Sequence, residues 1–281
     1  MGTLYLIATP IGNLEDISAR ALRLLRDVEL VAAEDTRVTK NLFQHFDIHT
    51  PLTSYFEHNK LTKLDSILSA LDVGDVALVS DAGTPALNDP GYELVRAALE
   101  EGHRVSPVPG ASSPIAALIA SGLPSDSFLY LGYLPRKSSE RKKFLERVAD
   151  LPYTLIFLET PHRLLESLND LLIILGERQI AVARELTKLH EEIWRGMLSQ
   201  AQVHFIEARG EFVLVISGQL SAVSNQWSEE KLISKIKKEI KKKKHSSSTM
   251  SAKDISAELA KESGWKKRDI YRLITKQNEE K

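Results

Sequence analysis

Over its first 220 residues the chain alternates short apolar or β-branched runs with stretches of helical periodicity, and run after run stops at glycine, proline and small hydroxyl residues. This alternation predicts strands joined by crossover helices, the layering of α/β proteins. Thr3–Thr9 stops at Pro10 and Gly12, and Asp75–Ser80 stops at Asp81-Ala82-Gly83-Thr84-Pro85. After that loop, Asn88-Asp89-Pro90 reads as the start of a helix with proline in its first turn. Val105–Val108 stops at Pro109-Gly110-Ala111-Ser112-Ser113. In an open α/β sheet the loops at the carboxyl ends of the strands converge on one crevice, where ligands bind. Small residues there let backbone N–H and C=O groups come close to a ligand. One such turn is ordinary anywhere in a protein; three at matching strand ends mark a binding crevice.

Charged residues occupy the same topological place. Glu34-Asp35-Thr36-Arg37 closes the run Val28–Ala33, and Asp81 follows a later strand. In the second half, Glu159-Thr160-Pro161-His162-Arg163 and Arg184-Glu185-Leu186-Thr187-Lys188 are likewise strand exits. Each could be a helix cap or a surface ion pair, yet an acidic crevice suits a ligand bearing positive charge. Neither G-x-G-x-x-G nor G-x-x-x-x-G-K-[ST] occurs, so a Rossmann dinucleotide loop and a P-loop are not supported. With no cysteine, disulfides and thiolate catalysis are excluded, and eight scattered histidines give no ligand spacing, so no metal site is inferred.

Four segments are expected: an α/β domain over 1–122 ending at Gly122-Leu123-Pro124, an α+β domain over 123–222 with antiparallel pairs, a basic linker over 223–248, and a helix-turn-helix-like extension over 249–281. In the extension, helices over Ala252–Glu262 and Lys266–Lys276 flank Gly264. The segment 221–281 holds 16 Lys+Arg against 9 Asp+Glu, a net of +7, while the rest of the chain carries −8. A basic tail on an acidic body points to a polyanion partner, with a solvated linker as the plainer alternative. A second basic run, Arg136, Lys137, Arg141, Lys142 and Lys143, reads first as a solvated helix face. No run is long enough to span a bilayer, and no signal peptide is evident, so a soluble cytoplasmic protein is expected.

Six segments in order, T-P-I-G-N-L, A-E-D-T-R, S-D-A-G-T-P with D-P-G, P-G-A-S-S, E-T-P-H-R, and R-E-L-T-K with E-E-I-W-R-G, carry a resemblance over Thr3 to Val215. The chain resembles the ribosomal RNA methyltransferases of the tetrapyrrole methylase superfamily. The resemblance implies a two-domain α/β fold with S-adenosylmethionine (SAM) in the cleft between the domains, and a homodimer. It implies 2′-O-methylation of a cytidine ribose in 16S rRNA, in the decoding region of the 30S subunit. Cofactor contacts are then expected at Pro10, Gly12, Ser80, Asp81, Ala82, Gly83, Thr84, Ser112 and Ser113, and near Glu159, Leu186 and Phe212 in the second domain. Ser-Asp-Ala stands here in place of the superfamily's Gly-Asp-Pro, which leaves open which backbone groups face the ligand.

A ribose hydroxyl is a poor nucleophile until a base accepts its proton. Glu34, Asp35 and Glu185 are the candidates, with His162 behind them. Arg37, His162, Arg163, Arg184, Lys188 and the run Lys241, Lys242, Lys243 and Lys244 are candidate RNA contacts. Two alternatives stay open: a SAM-dependent methylase of a small tetrapyrrole, and a non-catalytic ribosome-assembly RNA-binding protein.

Overall fold

The computed structural model describes residues 2–207, 209–219, 229–245, 251–263, 265 and 267–279. The chain forms two compact units, Met1–Gly218 and Gln219–Lys281.

In the first unit, strands β1 (Thr3–Ile7), β2 (Leu30–Ala33), β3 (Leu52–Ser54), β4 (Val76–Val79) and β5 (Arg104–Val108) make a parallel sheet ordered β3-β2-β4-β1-β5. Helices α1 (Ala19–Asp27), α2 (Thr36–His45), α3 (Lys60–Val73) and α4 (Tyr92–Glu100) connect them. Alternate residues of each strand feed opposite faces. Ile7, Val31, Ala77 and Val79 pack with Leu24, Leu25 and Phe43 on one side. Leu4, Val76 and Leu78 pack with Ile67, Leu71, Leu94 and Ala98 on the other. Burial on both faces explains why β4 reads as an unbroken apolar run.

Helix α5 (Ser113–Ser121) leads to the second sheet, β6 (Phe128–Tyr133), β7 (Thr154–Glu159), β10 (Phe212–Ile216), β8 (Gln179–Arg184) and β9 (Glu192–Met197), in that spatial order. All its pairings are antiparallel except β6 with β7. One face is covered by α6 (Ser138–Glu146), α7 (Leu164–Leu175) and α8 (Leu198–His204), which bury Leu145, Leu164, Leu168, Leu171 and Leu198 against it. On the other face lies α5, whose Ala117 and Leu118 pack with Ile156, Ala181, Val213 and Val215. The helix that ends the first half is thus part of the core of the second.

Two expectations are corrected. A helix does not begin at Asn88-Asp89-Pro90: Asn88 has φ +68° and Gly91 φ +159°, outside the right-handed helical region, and α4 starts at Tyr92. Arg141 does not belong to a solvated basic face. It is fully buried, its Nε donating to Asp170 Oδ2 at 2.8 Å, and Lys142 Nζ lies 3.4 Å from the same carboxylate. Of the two readings open to the lysine-rich segment, basic helix or linker, the structure shows a helix, α9, over Glu229–His245.

In the second unit α9 joins α10 (Ala252–Ser263) and α11 (Lys267–Glu279). Leu232 and Ile236 of α9 are buried in one cluster with Ile255, Leu259, Ile270 and Ile274. Two helices bury little surface, and the third supplies the missing apolar stripe. Gly264 and Lys266, residues 223–228 and residues 246–250 lie outside the described residues.

Candidate active site

Strands β2, β4, β1 and β5 are neighbours in the first sheet, so the loops leaving their carboxyl ends lie side by side. They are also tied together. Thr9 and Gly83 exchange backbone hydrogen bonds, with Thr9 N–H to Gly83 O at 2.9 Å and Gly83 N–H to Thr9 O at 3.0 Å. Thr84 Oγ1 donates to Ala111 O at 3.1 Å, joining the loops after β4 and β5. Gly83 has φ +79°, a conformation glycine adopts without a steric penalty. At Gly110 a Cβ would lie 2.9 Å from the Ala8 Cβ, so a side chain there would push two loops apart.

The exits of β2 and β4 are joined through carboxylates. The Asp35 N–H donates to Asp81 Oδ1 at 2.9 Å, and the Asp81 N–H donates to Glu34 Oε2 at 3.2 Å. Asp35 also caps α2, accepting from the Arg37 N–H at 2.8 Å, and pairs with the Arg37 guanidinium at 2.6 Å.

These loops form one wall of a cleft of about 220 Å³. Ile11, Glu34, the segment from Asp81 to Thr84, and Ser112 to Pro114 line it on the first sheet's side. Tyr130, Tyr133, Leu158, Glu159, Leu186 and Phe212 face them from the second. Nine of the twelve expected cofactor residues are brought to this one cleft. The other three, Pro10, Gly12 and Ser80, line an adjoining recess that shares Asp81. Gly12 supports the cleft from behind: a Cβ there would lie 2.5 Å from the Lys188 Cγ.

The charges divide sharply. Glu159 is buried and satisfied by the Arg163 guanidinium at 2.6 Å, the Ser167 hydroxyl at 2.6 Å and the Thr160 N–H at 2.8 Å. Arg163 also donates to Leu134 O, so it holds the cleft wall. Arg184 Nε lies 2.8 Å from Glu192 Oε2. Glu185, at φ +49°, pairs with Lys188 at 3.0 Å, and that ammonium lowers its pKa. Asp35 is held at about 2 by its hydrogen bonds from Arg37. Asp35 and Glu185, both candidate bases, thus each keep a cationic partner that favours the charged form. His162 is exposed and does not line the cleft.

Glu34 behaves oppositely. Burial raises its pKa, and the neighbouring Asp81 and Asp35 carboxylates add to this against one backbone N–H. Asp81 is raised by burial as well.

A larger effect falls on Asp89, the aspartate of D-P-G, which the sequence reading gave no role. Asp89 lines the cleft, and its pKa is pushed up to about 6 by burial first and by the Glu34 charge next, against a hydrogen bond from Ser80. Its loop holds two non-glycine residues at positive φ, Ala86 (+64°) and Asn88 (+68°), the kind of strain that concentrates at functional sites. N-D-P-G was legible as a turn, but its role was hidden behind the helix-start reading of Asn-Asp-Pro.

Tyr130 and Tyr133 were also missed. Three residues apart on a regular strand, they would face opposite sides. A register shift between them, with Gly132 at φ +64°, brings both to the cleft.

Comparisons with known proteins agree with this architecture. The model of the tetrapyrrole (corrin/porphyrin) methylases matches residues 3–202. The chain is 46% identical over 279 residues to ribosomal RNA small subunit methyltransferase I of Halalkalibacterium halodurans, covering 97% of this chain and 94% of that one. It is 53% identical over 225 residues to the protein of the same name from Pseudomonas aeruginosa, covering 77% and 79%.

Among solved structures, the methyltransferase CobJ aligns with a TM-score of 0.59 at 18% identity, over 78% of this chain and 95% of that one. Uroporphyrin-III C-methyltransferase of Thermus thermophilus, complexed with S-adenosylhomocysteine, aligns with a TM-score of 0.54 at 22% identity, over 77% and 97%. Among the described residues no helix is long and apolar enough to cross a membrane. On its fold, its cleft and its relatives, the chain belongs to the tetrapyrrole (corrin/porphyrin) methylase family.

Proposed function

We propose that this chain transfers the methyl group of SAM to the 2′-hydroxyl of a cytidine in the RNA of the small ribosomal subunit. The observation that carries the reading is the cleft's charge. Glu34, Asp81, Asp89, Glu159, Glu185 and Glu211 line it, against the single ammonium of Lys188. Such a lining favours a cationic ligand, and the small-residue loops offer backbone groups at close range. SAM fits: its sulfonium is a cation that supplies an electrophilic methyl group. The segment Ala82 to Thr84, Ser112, Ser113, Leu186 and Phe212 would hold it. The relatives' name supplies the acceptor class, and the motif resemblance supplies the cytidine 2′-oxygen.

Fixing two reactants in line is worth roughly 7–11 kcal/mol in favourable cases. Among the cleft carboxylates, Asp89 is the group set to receive the hydroxyl proton. It is half-buried, partnered by Ser80 rather than by a cation, and poised nearer neutrality than Asp35 or Glu185. Glu34 and Asp81 hold the loops beside it. Burial raises the Tyr130 hydroxyl to about 12, which keeps it protonated as a donor.

Arg37, with a side chain 88% exposed, and the run Lys241–Lys244 in the last turns of α9 are the RNA contacts of this reading. Lys188 stands at the cleft rim. The acceptor particle is the 30S subunit and the working form is a homodimer. Residues 1–122 and 123–222 act as the two halves that grip the cofactor.

Incubation with methyl-labelled SAM and 30S particles, naked 16S RNA or a precorrin tests the proposal. Label in the RNA is expected; label in the precorrin alone, or no heat on titrating SAM, overturns it.

A further inference from the structure

Beside the cleft, at the carboxyl ends of β2 and β3, lies a second recess of about 400 Å³. Glu34 and Asp81 line both spaces, so the two share a wall. Phe56 and Arg37 line the second recess with them. Phe56 is 38% exposed, although its loop is firmly held. The Tyr55 N–H donates to Ala33 O at 2.7 Å, and the Phe56 N–H donates to Asn59 Oδ1 at 2.7 Å. The Asn59 amide donates back to Ser54 Oγ at 3.1 Å. The Arg37 plane is fixed as well, its Nε and Nη2 donating to Asp35 at 3.0 and 2.6 Å.

Unstacked bases of RNA are taken up on aromatic rings and guanidinium planes. The carboxylates that line the recess offer only acceptors, which match the exocyclic amine of cytosine. Arg37, held by Asp35, brings a cationic plane to the same recess. We propose that this recess is a nucleobase subsite, in which Phe56 and Arg37 stack the amine-bearing base of the nucleotide whose ribose enters the cleft. The inference rests on the RNA methyltransferase reading and adds to it the element that selects the base.

The test uses the full chain and two single-stranded probes, oligocytidine and oligouridine, with binding read by fluorescence anisotropy. The wild type is expected to prefer oligocytidine. Phe56→Ala should lose roughly tenfold or more of that affinity, and Phe56→Trp should keep it. SAM affinity by calorimetry should be unchanged in both. Wild-type affinity in Phe56→Ala overturns the inference. So does equal loss in both variants with a lowered melting temperature, which makes Phe56 a packing residue. A change of oligomeric state on sedimentation with RNA affinity intact also overturns it, by assigning the recess to a second copy of the chain. Absence of methyl transfer by the wild type would instead sink the parent reading, which this binding assay does not depend on.

Discussion

Two groups of carboxylates in the same unit are treated in opposite ways. In the second half, Asp170 and Glu159 are buried against Arg141 and Arg163 and are further satisfied by Ser138 and Ser167. In the cleft, Glu34, Asp81 and Asp89 face one another, and none forms a salt bridge among the described residues. A buried charge that keeps its counterion supports the fold, because removing either partner strands the other. Partly desolvated carboxylates left without a counterion hold their protons more tightly. The first arrangement is architecture; the second stores electrostatic energy for a ligand that brings the missing positive charge.

The sharpest way to break this comparison is Asp89→Asn. Methyl transfer should fall by about 10²- to 10⁴-fold, and the acid limb of the wild-type rate profile near pH 6 should disappear. The sign for stability is opposite. A carboxyl whose folded pKa lies above its unfolded value contributes stability at low pH that is lost as pH rises through about 6. The variant should therefore melt higher than the wild type at pH 7 and alike at pH 4. A lower melting temperature at pH 7 would count Asp89 among the structural carboxylates.

Arg141→Ala is the counterpart test. It leaves the Asp170 charge buried and should cost about 3–5 kcal/mol in denaturant unfolding. A loss below about 1 kcal/mol would erase the distinction between the two groups.

Gly83→Ala should cost about 1–2 kcal/mol for its left-handed backbone, and calorimetry should show weaker SAM binding as the Thr9–Gly83 bridge is strained. Replacing Lys241–Lys244 by glutamine is expected to leave SAM binding unchanged. It should flatten the salt dependence of RNA binding by about 0.7 in log–log slope for each phosphate no longer neutralised.

Period and composition made most of the elements legible. Gln179–Arg184 and Glu192–Met197 read as strands from the sequence and keep those bounds in the structure, because each is a short run set between polar turns. The cleft loops were legible because only small residues tolerate the approach found at Gly83 and Gly110.

What escaped has a physical cause in each case. Arg141 sits in a basic run, and its burial depends on Asp170, 29 residues away. The α9 stripe of Leu232 and Ile236 is hidden among lysines whose charge dominates composition. Tyr130 and Tyr133 share a face only through a strand irregularity that periodicity smooths over. Asp89 draws its character from Glu34, Asp81 and Glu211, residues that only the folded chain brings near.

Helix α5 has a consequence for traffic through the cleft. It begins at the cleft wall, with Ser112 as its cap and Ser113 as its first residue, and its Ala117 and Leu118 are sewn into the opposite sheet. Swinging the halves apart on a hinge would tear that seam, so the entry of reactants and the exit of products fall to the rim loops. Turnover in such a molecule is governed by small local gates rather than by a jaw.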